Sequence, residues 1–128
     1  MATLNDPIST SGRLIAGNQV AGTAVYNPQG ERLGSIDDVM IDKISGRIAY
    51  AVLSFGGFLG IGDTHYPLPW APLRYDTNLG GYVVNLDKRT LEGAPSYHTG
   101  EPVAWEDEAW GRSVYDYYKA KPYWNAVP

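Results

Sequence analysis

The chain contains no cysteine, which excludes disulfides, thiol nucleophiles and thiolate metal sites. It has two histidines, too few for a metal centre of diagnostic ligand spacing, so no metal and no cofactor are expected. Basic residues are few and scattered: ten Lys and Arg stand against fourteen Asp and Glu, for a net charge of -4. Phosphate backbones are bound through clustered Lys and Arg, so this balance argues against nucleic acid as the main partner. It disfavours an anionic membrane surface for the same reason. No apolar run approaches the length of a membrane span. The opening stretch MATLNDPISTSGRLIAGNQV lacks both the basic start and the apolar core of a secretory leader. Membrane insertion is therefore not expected, and the default compartment is cytoplasmic.

What the chain has instead is turn formers. Fifteen Gly and nine Pro interrupt almost every stretch, which favours short strands over long helices. A single domain of this length removes roughly two-thirds of its unfolded surface from water. Residues 1–17 show no periodicity and read as an arm, whose short Leu14-Ile15 pair offers an apolar contact.

Val20–Tyr26 is the first expected strand, closed by Asn27-Pro28-Gln29-Gly30, whose Pro and Gly fit a type I turn. Arg32–Asp42 is the second. Its apolar residues switch parity in mid-strand, from Ile36 to Val39 and Ile41, which predicts a bulge beside Asp37 and Asp38. Arg47–Phe55 is apolar on both parities, as a central strand covered on both faces would be. Thr64–Leu68 resumes as a strand after a glycine loop. Pro67 and Pro69 place it at an edge or limit its pairing. Leu73–Tyr75 and Tyr82–Leu86 form a hairpin. Asp87 then caps a helical turn over Lys88–Glu92, ended by Gly93 and Pro95.

The composition changes at Gly93. Residues 93–128 hold Tyr97, Trp105, Trp110, Tyr115, Tyr117, Tyr118, Tyr123 and Trp124, half of the chain's aromatics. Glu106–Lys119 is expected to be helical: its acidic first turn and basic end complement the helix dipole. Trp110, Val114 and Tyr117 or Tyr118 share one face. Gly111 weakens that helix by about 1 kcal/mol relative to Ala.

Residues from about Asn18 to Glu92 resemble the PRC-barrel domain, a small β-barrel. Four pieces carry the resemblance: Gly22–Gly30 (GTAVYNPQG), Leu33–Asp42 (LGSIDDVMID), the Gly46–Ser54 strand, and GGFLGIGD followed by PLPW at 67–70. The resemblance implies a mainly β fold, a PRC-type barrel of about six short antiparallel strands with a short helical turn; the C-terminal helix read from the residues lies outside the family pattern. It divides the chain into an arm (1–17), the barrel (18–92) and an aromatic-rich tail (93–128). PRC-barrels serve as packing and docking modules in the cytoplasmic subunit of bacterial reaction centres and in a ribosome-maturation factor. The family has no common catalytic residue to carry over. The membrane helix of the first and the RNA-related domain of the second have no counterpart in this sequence.

Candidate chemistry is thin. The glycines at 56, 57, 60 and 62 do not open a helix and are followed by no Lys, so positive-φ turn geometry explains them better than a phosphate cradle. His65 with Asp63 or His98 would be a sparse metal pair. Asp37 and Asp38, as strand neighbours, should point to opposite faces and not act together. Ser35, Ser45 and Ser54 have no neighbouring His.

The expectation is therefore a non-enzymatic interaction or assembly module with a protein partner, most simply a homodimer. Phe58, Leu59 and Ile61 at the loop, and Trp110, Tyr117 and Trp124 in the tail, are the contact candidates. The tail aromatics have a plainer alternative, which is docking on their own barrel. A second functional class is a small-ligand or ribosome/RNA-associated factor using a barrel-end cleft. A barrel of about seventy-five residues without a staple supplies only a few kcal/mol of stability alone, so extra cover from tail or partner is expected.

Overall fold

A computed structural model describes residues 13–54 and 64–125. A single turn of helix, α1 (Gly17–Val20), precedes β1 (Ala24–Tyr26). The first expected strand is thus shorter than its apolar pattern. Gly22 at φ +90° turns the chain, and Thr23 N–H closes on Val20 O. Leu14 and Ile15 stand exposed.

The Asn27–Gly30 turn forms as its sequence predicts. Gly30 N–H donates to Asn27 O at 3.0 Å. The buried Asn27 side chain accepts from the N–H groups of Gln29 and Glu31 and donates to Glu31. One side chain thus satisfies the backbone groups the turn leaves open.

Strands β2 (Arg32–Ile41), β3 (Ile48–Ser54) and β4 (Thr64–Pro69) follow. β2 is irregular at Asp37: Ile36 faces Leu53 while Asp38 faces Val52. This is the expected bulge. β3 lies between β2 and β4 and is buried along its middle. Only Tyr66 and Leu68 can donate to β3 from the paired stretch 66–69, because Pro67 and Pro69 have no N–H. Both prolines share the other parity and fall on the side that β7 (Tyr97–His98) covers only as far as His65.

A hairpin, β5 (Arg74–Asp76) and β6 (Gly81–Val83), is closed by the Asp76 carboxylate accepting from Asn78 and Leu79 N–H. β6 then pairs with β1 in parallel, so the expected barrel of about six antiparallel strands is, among the described residues, a sheet of seven strands with one parallel pair. The approach depends on a contact between residues far apart in sequence. Gly81 brings β6 so close to β1 that a Cβ there would sit 2.4 Å from Ala24 O.

The ladder order is β5-β6-β1-β2-β3-β4-β7, not closed among the described residues. It nevertheless curls round: Trp70, at the end of β4, meets Tyr82 of β6 with ring centroids 5.2 Å apart. Val25, Leu33, Ile36, Leu53 and Leu68 fill the inner face. The helical turn α2 (Lys88–Glu92), capped by Asp87 accepting from Thr90 N–H at 2.7 Å, adds Leu91 to that core. A long helix α3 (Glu108–Tyr117) and a 3-10 turn (Tyr123–Asn125) complete the described chain. No helix of the described residues is long and apolar enough to cross a membrane.

The close approach at Gly81 has a measurable cost if filled. Gly81→Ala should destabilise the protein by about 2–3 kcal/mol, since a carbonyl in the ladder cannot rotate away. Urea unfolding checks this, and an unchanged midpoint would show that β1 and β6 can separate freely.

Candidate functional site

The outer face of β3 and β4 is where the tail and the remaining polar side chains converge. Along β3, Ala51 and Leu53 point into the barrel while Tyr50 points out. A second irregularity, where Met40 faces Tyr50 but Ile41 faces Ile48, adds Ala49 to the same outer cluster.

Helix α3 lies against this face. Asp107 caps it, accepting from Ala109 N–H at 2.8 Å, and Val114 and Tyr115 are buried. The Tyr115 hydroxyl donates to Ala49 O. Gly111 is the point of nearest approach: a Cβ there would stand 2.6 Å from the Tyr50 hydroxyl and 3.3 Å from the Trp124 ring. The residue that weakens the helix by its own propensity is thus the one that lets it sit down.

Beyond α3, Arg47 donates to Tyr123 O at 3.3 Å, and the Tyr123 hydroxyl donates to Asp42 at 3.3 Å. Asp42 also accepts from Ile44 and Ser45 N–H. The Ser45 bond, then the Ile44 bond, lowers its carboxyl below the usual range.

Of the tail residues named as contacts, Trp110 packs on Tyr50 at 5.7 Å and Trp124 on Tyr115 at 5.4 Å. Both are partly buried on the chain's own barrel. Tyr117 is 37% exposed, with its hydroxyl donating to Thr90 O at 2.6 Å. Phe58, Leu59 and Ile61 lie outside the described residues.

The same rings continue to the start of β4. Trp105 stands 5.4 Å from Tyr50, Tyr97 5.8 Å from Trp105, and His65 stacks on Tyr97 at 5.1 Å. Around His65 the polar side chains meet. Its Nε2 is 2.7 Å from the Thr99 hydroxyl. Asp37 Oδ2 lies 2.9 Å from Nδ1, at ion-pair distance but off the line a hydrogen bond needs.

Sequence reading missed this convergence. It set Asp37 aside as a strand residue beside Asp38, whereas the bulge redirects it over β3 towards His65. The signal available was the bulge itself. His98 does not join His65: Thr64 faces His98 while His65 faces Tyr97, which puts the two imidazoles on opposite faces. Among the described residues no cluster of three His, Asp or Glu could hold a metal.

The carboxylate, imidazole and hydroxyl stand in a row that is hydrogen-bonded only at its Thr99 end. The rest of the face is aromatic, and its electrostatics follow from burial. Tyr50 is pushed up to about 12, by burial first and then by Tyr123. Tyr115 and Tyr118 are raised further by the same cause. Tyr97 is raised by burial, then by the charges of Asp37 and Asp38.

A family model, the PRC-barrel domain, matches residues 13–91. The chain belongs to the PRC-barrel family. The match takes in every strand but β7 and ends at α2, so the face-covering tail lies beyond the matched PRC-barrel segment. A search of curated proteins finds no match.

Two outcomes follow for this face. Gly111→Ala gains about 1 kcal/mol of helix propensity but overpacks a ring cluster, at about 1–3 kcal/mol. Net destabilisation of about 1 kcal/mol is expected in urea unfolding followed by Trp fluorescence. A gain would mean Tyr50 gives way. The buried phenols give the second outcome. Unfolded tyrosines ionise near 10, whereas Tyr50, Tyr115 and Tyr118 are held protonated above that. Unfolding therefore releases protons in alkali. The stability these phenols contribute should be constant below about pH 10 and fall as pH rises towards 12. The last tyrosinates to appear in absorbance should do so in step with unfolding, and complete ionisation well before it would place these three phenols in solvent.

Proposed function

We propose that this PRC-barrel protein is a non-catalytic docking module, with its own aromatic tail seated on one face and protein contacts made by what the tail leaves open. The observation that carries this reading is the exposed apolar surface at the β2–β3 hairpin, where Ile44 is 94% and Ile41 56% exposed. Large apolar groups held out beside a well-covered face mark a contact surface. Phe58, Leu59 and Ile61 are further contact candidates in this reading, as is the half-exposed Tyr117. Trp110 and Trp124 serve the module from within, as anchors that hold the tail. The first partner proposed is a second copy of the chain.

A second reading rests on Asp37, His65 and Thr99, whose order suits ligand binding or acyl transfer. One pair of measurements separates the two. Sedimentation velocity over the micromolar range, with capture by the tagged chain, should give defined protein complexes. A chain that stays monomeric and captures nothing would sink the docking reading. Ester turnover that disappears in His65→Gln would replace it with a catalytic one.

A further inference from the structure

β2 is ten residues long, but its neighbour on one side covers only half of it. β1 pairs with Arg32, Gly34 and Ser35. Gly22 and Thr23 then exchange two hydrogen bonds with Ile36, at 2.6 and 2.8 Å. Past Ile36 no described strand lies on that side.

The bulge at Asp37 decides what this free edge presents. Before it, the Ile36 N–H and C=O face β1. After it, the Asp42 N–H and C=O face the other way, bonding Arg47 O and Gly46 N–H across the β2–β3 hairpin. By alternation the backbone groups of Val39 and Ile41 turn outward. The Val39 N–H accordingly finds no strand partner and donates to the Asp38 carboxylate at 2.8 Å. The second irregularity does not alter this, because its extra residue, Ala49, lies on β3.

We propose that this edge, residues 37–43, is a self-pairing surface at which a second copy adds its own β2 antiparallel about a twofold axis. The proposal rests on the docking-module reading and names its partner and register. Two features favour a second copy. An antiparallel twofold sets Val39 of each chain opposite Ile41 of the other, pairing the outward groups of both and covering Ile41. The edge is also charged in opposite senses at its ends, with exposed Asp38 at one and exposed Lys43 at the other, while Asp37 is turned away over β3 to His65. The twofold lays Lys43 of each copy against the acidic end of the other, while Asp42 stays turned into its own hairpin. Isologous interfaces need this kind of self-complementarity. Pairing exchanges the Asp38–Val39 contact for a ladder bond and releases the carboxylate to meet Lys43.

The test uses the full chain. Sedimentation equilibrium should show a dimer that Ile41→Lys weakens by about tenfold or more, with circular dichroism unchanged, since Ile41 is exposed. Leu79→Lys, on the far hairpin, should leave it intact. Lys43→Glu should weaken the dimer, and Asp38→Lys with Lys43→Glu should restore it. Carbodiimide treatment of mixed isotope-labelled and unlabelled chains should give a cross-link from Lys43 to Asp38 between copies. A dimer indifferent to Ile41→Lys would overturn the edge while leaving the docking reading standing. A chain that remains monomeric yet captures a different protein would overturn self-pairing alone.

Discussion

Burial of β3 on both faces is the constraint on which this structure turns. A strand with Tyr50 and Val52 on one parity and Ala51 and Leu53 on the other cannot leave either set in water at small cost. The inner set is covered when the sheet curls. The outer set is covered by the tail, with Tyr115 of α3 bonded to Ala49 O, Gly111 against the Tyr50 hydroxyl and Trp105 beside the Tyr50 ring. The tail is therefore the second half of the core, and it lies beyond the segment that the family model matches.

The Asp37 bulge is the other hinge of the design. One extra residue reverses the inward and outward alternation of β2. That reversal lets Ile36 fill the barrel and Met40 pack under the tail on the opposite face. It also sends the Asp37 carboxylate to His65 and turns the backbone of Val39 and Ile41 to the edge that no described strand covers. A barrel strand needs such a kink to bend. Here the kink also sets the polar cluster and the free edge.

Much of this was legible in the residues. The parity switch from Ile36 to Val39 located the bulge, the two-sided apolar run located the central strand, and Asp87 located a helix start to the residue. Other features were hidden because they depend on partners distant in sequence. Nothing local says that Gly81 meets Ala24 O, so the parallel pair went unseen. Gly111 read as a helix weakness because its gain lies in Tyr50, on another element. The Asp37–His65–Thr99 group joins three segments, and only the ladder from β2 to β7 brings them together. Where the choice was between barrel and partner for the tail, composition offered no decision, since both surfaces want the same rings.

The decision between them is one of effective concentration. A helix tethered through about fifteen residues to the barrel it fits meets that face at millimolar local concentration or higher, and a partner in trans must exceed that to displace it. The tail's hydroxyls add direction to this advantage. Tyr115, Tyr117 and Tyr123 reach Ala49 O, Thr90 O and the Asp42 carboxylate, three acceptors that phenylalanine could not have used. With ten Tyr and two Phe, the chain spends its aromatics on contacts that fix orientation as well as bury area. A tail held by three such bonds is committed to its own barrel. Its bonds leave the β1-side edge of β2 past Ile36 without a strand beside it among the described residues.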